Sequence, residues 1–250
     1  MTNDTSHIPH PEIEIVADEP ESKNPILIEG FPGIGLIGNI ASQQIIDELE
    51  MKYLGTMSSQ YFPPIAVLFE GIVNMPVRIY ESKEHEIIVV VSDIPIQPAM
   101  SHIVSRALID WAVSINVKEV VSVAGISTSG GEHKVFGGAT DAISLEKIKD
   151  VVEVFQMGTI SGISGSVMAE CFMRKIPAIS LLGGTRSSNP DPQAAVEVIK
   201  VLNKLYNLSI DTDRLLTQAG QIELEMQKLA EDTRETEEQP DLKKPSPMYG

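Results

Sequence analysis

The segment from Pro25 to Gly38, PILIEGFPGIGLIG, limits what this chain can fold into more than any other. Its opening residues, Pro25-Ile26-Leu27-Ile28, form a short apolar run rich in β-branched side chains, which suits a strand buried in a sheet. Pro32 and then Gly33 offer the fixed φ and the positive φ that a type II turn needs at its two central positions. Beyond them Ile34, Ile37, Gly38, Ala41, Ile45 and Leu49 recur at helical spacing. Gly38 and Ala41 sit in the middle of that stripe, where a helix coming close to a sheet requires small residues. The segment predicts strand, glycine turn and helix.

Gly33, Gly35 and Gly38 also spell G-x-G-x-x-G, which lets a backbone approach a pyrophosphate at a helix N-terminus. A dinucleotide site needs in addition an acidic residue about twenty positions on, at the end of the next strand. The residues there, Lys52-Tyr53-Leu54-Gly55-Thr56-Met57, hold no carboxylate. The glycines are therefore expected to serve the turn and the helix–sheet contact. No G-x-x-x-x-G-K-[ST] segment occurs, so ATPase elements are absent from the sequence.

At 250 residues the chain can bury a substantial single core. Its formal net charge of −16 argues against DNA, RNA or an anionic membrane as partner, because nothing supplies a basic face for phosphates. The single cysteine, Cys171, has no internal disulfide partner and fits a reducing cytoplasm. Residues 1–24 show neither the basic nor the apolar region of a signal peptide. No stretch offers the roughly eighteen continuous apolar residues of a membrane span. The expectation is a soluble, acidic, cytoplasmic protein.

Residues 1–24 are polar and proline-marked, flexible or carrying one edge strand from Glu12 to Val16. An α/β core is expected over 25–208. After the first helix, strands are predicted from Tyr53 to Met57, Ile65 to Glu70 and Val77 to Glu81, closely spaced enough for antiparallel pairing. EIIVVVS, from Glu86 to Ser92, reads as a central strand buried on both faces. A helix fits Pro98 to Ile115, with Met100, Ile103, Val104, Ala107, Leu108, Trp111, Ala112 and Ile115 on one stripe. A strand from Val117 to Ala124 leads into a long Gly/Ser loop, Gly125 to Thr140. A strand from Val151 to Phe155, a helix marked by Ile160, Ile163, Val167, Met168, Cys171 and Phe172, and a strand from Pro177 to Leu182 follow. Asp191-Pro192 supplies an N-cap and first-turn proline for a last core helix. Strands alternating with helices imply parallel crossovers and a layered sheet with flanking helices. Over 209–234 a C-terminal helix is expected, with Leu215, Ala219, Ile222, Met226 and Leu229 on a coiled-coil-like seam read first as packing back on its own domain and second as self-association. Residues 235–250, ETEEQPDLKKPSPMYG, read as a disordered tail.

Few constellations carry chemistry. The loop from Gly125 to Thr140 follows a strand end, where open α/β sheets bind ligands, and Ser127, Thr128, Ser129, Gly130 and Gly131 could cradle an anion beside His133 and Lys134. Glu132 and His133 could act as acid and base. Arg186, in a second strand-end loop, could hold a carboxylate or phosphate. Asp93, His102 and Asp110 lie near the central strand and helix; His102, next to an apolar stripe, is read as a satisfied structural histidine rather than a ligand. Cys171 falls on a buried helix face and is read as packing. No metal-ligand spacing stands out, and no cofactor is expected. Met248-Tyr249-Gly250 is different: a hydrophobic residue, a penultimate tyrosine and a free carboxylate at the tip of a polar arm form a peptide-recognition element.

ILIEGFPGIGLIGNIA, with the SVAGISTSGG and PAISLLGGT segments after later strands, resembles the archaeal proteasome-assembly-chaperone family, whose members carry G-x-P-G-x-G-x-x-G near their start. Here those positions are Gly30, Pro32, Gly33, Gly35 and Gly38. The terminal Met248-Tyr249-Gly250 resembles the hydrophobic-Tyr-any motif by which proteasome activators dock on the 20S α-ring. The resemblance implies a fold similar to purine nucleoside phosphorylases, no established catalysis, and a homo-oligomer. It also implies binding to 20S proteasome α-subunits, with unfolded proteins as further partners, and an ATP-independent chaperone. Leu36 and Ile40, off the first helix's stripe, and the Leu215–Leu229 seam offer surfaces for self-association. A reading of another class remains open: a small-molecule enzyme or nucleotide- or phosphate-binding protein using the Gly33–Gly38 turn and the Gly125–Thr140 loop.

Overall fold

The computed structural model describes residues 12–69, 71–129, 133–186 and 188–217. An outer strand, β1 (Glu14–Ala17), precedes β2 (Ile26–Gly30); a 3-10 turn (Ile34–Leu36) then opens α1 (Ile37–Glu48), followed by β3 (Lys52–Ser58). A hairpin, β4 (Val67–Phe69) and β5 (Ile72–Asn74), precedes β6 (Val77–Ser82) and β7 (Ile87–Ser92). The second half runs α2 (Pro98–Ser114), β8 (Glu119–Ser127), β9 (Val135–Ala139), α3 (Ala142–Ile148) and β10 (Glu153–Val154). It continues with α4 (Gly162–Arg174), β11 (Ala178–Thr185), α5 (Pro192–Tyr206) and α6 (Asp213–Thr217).

Nine strands make one mixed sheet in the order β1-β3-β6-β7-β2-β8-β11-β9-β10. Its middle is parallel: β2 pairs with β7 and with β8, and β8 with β11. One flank is antiparallel, through β1–β3, β3–β6 and β6–β7; on the other, β9 pairs antiparallel with β11 and parallel with β10. Every residue of β2, β7 and β11 is buried, which is why these strands read as mainly apolar runs without polar alternation. Side-chain alternation splits them between two cores. Ile26, Ile28, Val89 and Val91 meet Ile37, Ala41 and Ile45 of α1 and Ile199 and Leu202 of α5. Leu27, Ile88 and Val90 meet Val104, Leu108 and Trp111 of α2 and Val167 and Cys171 of α4. The result is a layered α/β fold, helices on both faces of one sheet.

Local signals account for the helix ends. Asp191 accepts a hydrogen bond from the Ala194 N–H at 3.0 Å, and Pro192 occupies the first turn of α5. That helix stops at Asn207 in the left-handed conformation (φ 53°).

Several expectations need correction. The stretch from Gly125 to Thr140 is not one long loop: β8 runs on to Ser127, β9 occupies Val135–Ala139, and residues 130–132 lie outside the described residues. Its glycines mask a strand because Gly137 faces Val152, where a Cβ would come within 2.4 Å of the valine side chain. The strand β5 and the helix α3, capped by Asp141 through the Ile143 and Ser144 N–H groups, fell inside segments expected to be irregular. Ile40 offers no self-association surface, because it is 2% exposed in the core that α1 shares with α5; Leu36 packs partly buried against the same core. Leu215 is buried against that core too, in line with a seam that packs back on its own domain, while the rest of the Leu215–Leu229 seam lies outside the described residues.

Beside β7 lies a buried ion pair. Arg78 on β6 is fully buried; its Nη1 and Nη2 donate to the Asp93 carboxylate, the second at 3.1 Å. Nη1 also donates to the Met75 carbonyl at 3.1 Å, Nε to the Tyr80 hydroxyl at 3.2 Å, and the guanidinium stacks 4.6 Å from the centre of the Phe69 ring. Burial pushes the Asp93 carboxyl above its ordinary range even with the guanidinium against it. A carboxylate left here without its partner has no other cation beside it among the described residues. Arg78→Met is therefore expected to cost about 3–5 kcal/mol in urea unfolding, and Arg78→Met with Asp93→Leu to recover part of that loss.

Candidate functional site

The glycine segment after β2 sits at the carboxyl end of the parallel strands, where α/β sheets place their ligands. Gly30 closes β2, Pro32 is half-buried, and Gly33 and Ile34 face solvent. The type II turn expected at Pro32-Gly33 does not form. Gly33 is extended (φ −154°), and the reversal falls at Gly35 (φ 66°) and Leu36 (φ 49°). Two contacts shift it there: the Asp191 N–H donates to the Gly35 carbonyl at 2.8 Å, and the Ile34 carbonyl lies against Gly125 of β8. The α-helix proper consequently starts at Ile37, three residues later than the apolar stripe predicts.

Gly38 shows what these glycines do. A Cβ there would lie 2.4 Å from the Val123 carbonyl oxygen, and one on Gly125 would lie 1.9 Å from the Ile34 oxygen. Both distances are shorter than any van der Waals contact, so α1 reaches the sheet only because those side chains are missing. Gly38 and Gly125 thus serve the helix–sheet contact. The strand that follows α1, β3, is also not a neighbour of β2; β7 and β6 stand between them. The unit is not the dinucleotide-binding βαβ.

The remaining strand ends hold one polar cluster. Thr185 Oγ1 donates to Asp191 Oδ2 at 2.6 Å, while Asp191 Oδ1 caps α5. His133 Nδ1 lies 3.5 Å from Asp191 Oδ2 and 3.3 Å from the Gly184 carbonyl. His133 and Asp191 thus come together, but both carboxylate oxygens are engaged by donors of the fold. Lys134 turns to Glu153 at 3.5 Å, and Arg186 is exposed. The His102 ring is largely exposed on α2, with Nδ1 3.6 Å from Glu170 Oε1. Asp110 is bound by Arg174. Cys171 is buried as expected, and burial pushes its thiol up to about 12. Among the described residues no group of three or more His, Cys, Asp and Glu side chains could hold a metal, and no helix is long and apolar enough to cross a membrane. Met248, Tyr249 and Gly250 lie outside the described residues.

The PAC2 family model matches residues 27–230, a range that takes in the whole glycine segment. The chain belongs to the PAC2 family. It is 36% identical over 211 residues to an uncharacterised protein of Methanocaldococcus jannaschii, covering 84% of this chain and 87% of that protein. Its fold is similar to that of Pyrococcus furiosus PbaA, described as an archaeal homolog of proteasome-assembly chaperone, at TM-score 0.82 and 30% identity over 90% of this chain and 99% of that one. It is also similar to Pyrococcus furiosus PbaB, described as an archaeal proteasome activator, at TM-score 0.74 and 27% identity over 87% and 98% of the two chains.

A residue of the family-matched segment that sequence reasoning passed over is Glu29, next to Gly30 but on the opposite face of β2. It is fully buried. The Ser122 hydroxyl donates to its carboxyl, Ser164 bonds it as well, and the Phe31 N–H reaches it at 3.4 Å. Burial outweighs these bonds and pushes the carboxyl up to about 7 from its ordinary 4.5. The signal was present in ILIEG, one carboxylate inside an apolar strand. Because the folded state holds the proton more tightly, this group's stabilising effect is complete below pH 4.5. It is lost as pH rises to 7. Glu29→Gln should therefore flatten the pH profile, removing a drop of up to about 3 kcal/mol that wild type shows in urea melts between pH 4.5 and pH 8.

Proposed function

We propose that this PAC2 family member is an ATP-independent, proteasome-assembly-chaperone-like protein of the cytoplasm that binds the 20S α-ring through Met248, Tyr249 and the Gly250 carboxylate. The observation that carries the reading is similarity over nine-tenths of the chain to PbaA, supported by similarity to PbaB. The terminal hydrophobic-Tyr-any sequence adds the means of contact. Strand ends occupied by packing and by capping bonds fit a protein that acts by contact rather than by catalysis. On this reading the chain works as a homo-oligomer, and unfolded proteins are further partners.

Residues 235–250 number sixteen and reach roughly 50 Å at full extension. The globular part can then stay off the ring while the tripeptide enters a pocket between α-subunits. One short motif buries little area, so a single tail binds at about micromolar strength. Several tails on one oligomer raise avidity by about 10² to 10⁴ when they engage together. In surface-plasmon measurements on 20S particles, Tyr249→Ala is expected to abolish binding with the fold unchanged. One residue added after Gly250 is expected to do nearly the same by displacing the carboxylate. Binding that survives both changes overturns the assignment to the tail.

A further inference from the structure

The hairpin of β4 and β5 forms a two-stranded sheet of its own, apart from the nine-stranded one. Its register sets Leu68 opposite Val73 and Phe69 opposite Ile72, so large apolar side chains stand on both faces. Leu68, Ile72 and Val73 are 65%, 68% and 66% exposed, and Phe69 and Met75 are exposed as well. A ribbon this short does not hold itself together in water. It is anchored through the buried Arg78 guanidinium, which Phe69, beside the turn, covers and which donates to the Met75 carbonyl just after β5. Beyond that anchor the apolar side chains and the outer strand edges have no partner among the described residues, the condition that marks a contact surface.

The identity of that contact follows from charge. Residues 63–76, PPIAVLFEGIVNMP, contain one ionisable side chain, Glu70, in a chain of formal net charge −16. A second copy carries the same negative charge, and two copies repel wherever their carboxylates face each other. The hairpin is a surface on which copies can meet with few acids at hand, Glu70 between its two strands being the one in the segment, and its apolar faces and bare edges are self-complementary. We infer that the β4–β5 hairpin is a contact between copies of this chain, covered by the hairpin of a second copy. The inference rests on the homo-oligomer reading above and assigns it a surface.

The test uses the full chain. Leu68→Glu with Val73→Glu places carboxylates at two positions that are solvent-exposed in the single chain, so the fold, read by circular dichroism, is expected to stay intact. Light scattering at micromolar concentration should give a multiple of 27.2 kDa for wild type and a lower mass for the double variant. Cross-linking adds a second readout, because Cys171, the single cysteine, is buried. A short bis-maleimide should join copies of Ile72→Cys and leave Met157→Cys, 92% exposed elsewhere, as single chains. An oligomer that survives the double variant, with no cross-link at Ile72→Cys, overturns the hairpin contact and leaves the homo-oligomer standing. A monomeric wild type overturns both. Unchanged mass with loss of binding to a denatured protein assigns the hairpin to unfolded partners and likewise overturns the inference.

Discussion

The closeness of α1 to the sheet is the constraint on which the rest of this fold depends. Gly38 against the Val123 carbonyl and Gly125 against the Ile34 carbonyl leave no room for even a methyl group. That approach seats Ile37, Ala41 and Ile45 directly over Ile26, Ile28 and Val121. It also brings the Gly35 carbonyl to the N-terminus of α5, where the Asp191 N–H takes it. Interiors close-packed to crystal density transmit such displacements rather than absorb them. A helix held further out would uncover one core and detach α5 together.

Adjacent residues of β2 carry opposite kinds of constraint because strand side chains alternate between faces. Gly30 yields space to α1 on one face, while Glu29 presents a carboxyl to the α4 side on the other. An acid with no cation at hand is tolerable there because it can stay protonated and because serine hydroxyls bond it. Arg78 and Asp93 solve the same problem differently, by pairing, and their cost is met with hydrogen bonds to Met75 and Tyr80. Buried polar groups of both kinds penalise misregistered strands, since a slip of one residue would turn each of them to the wrong layer.

Elements with strong periodicity were legible in the sequence. The continuous run of β7, the eight-residue stripe of α2 and the capped start of α5 all appear where expected, since each is set by burial or by a cap within the segment itself. Missed elements have weak local signals. β9 carries two glycines at Gly137 and Gly138, and β5 spans three residues whose partner strand is as short. The turn before α1 was misplaced because its reversal is set by Asp191 and Gly125, more than ninety residues away in sequence from the turn they hold. Glu29 was written plainly in ILIEG, but its environment is made by Ser122 and Ser164, which only the folded sheet brings to it.

A parallel sheet with helices on both faces normally leaves a crevice at its carboxyl ends. Here Gly38 and Gly125 give part of that end of the sheet to the close approach of α1, and the Asp191 N–H ties the turn to α5. What the chain leaves uncommitted lies at its periphery, in an apolar hairpin that the sheet does not cover. Binding through extended peripheral segments tolerates wide variation in the core, since affinity is set by a few anchor side chains and by how many segments engage at once. That division fits the proposed role, in which contacts with copies and with the partner are made by short segments outside the core. A fold built in this way needs no cavity of its own to be specific.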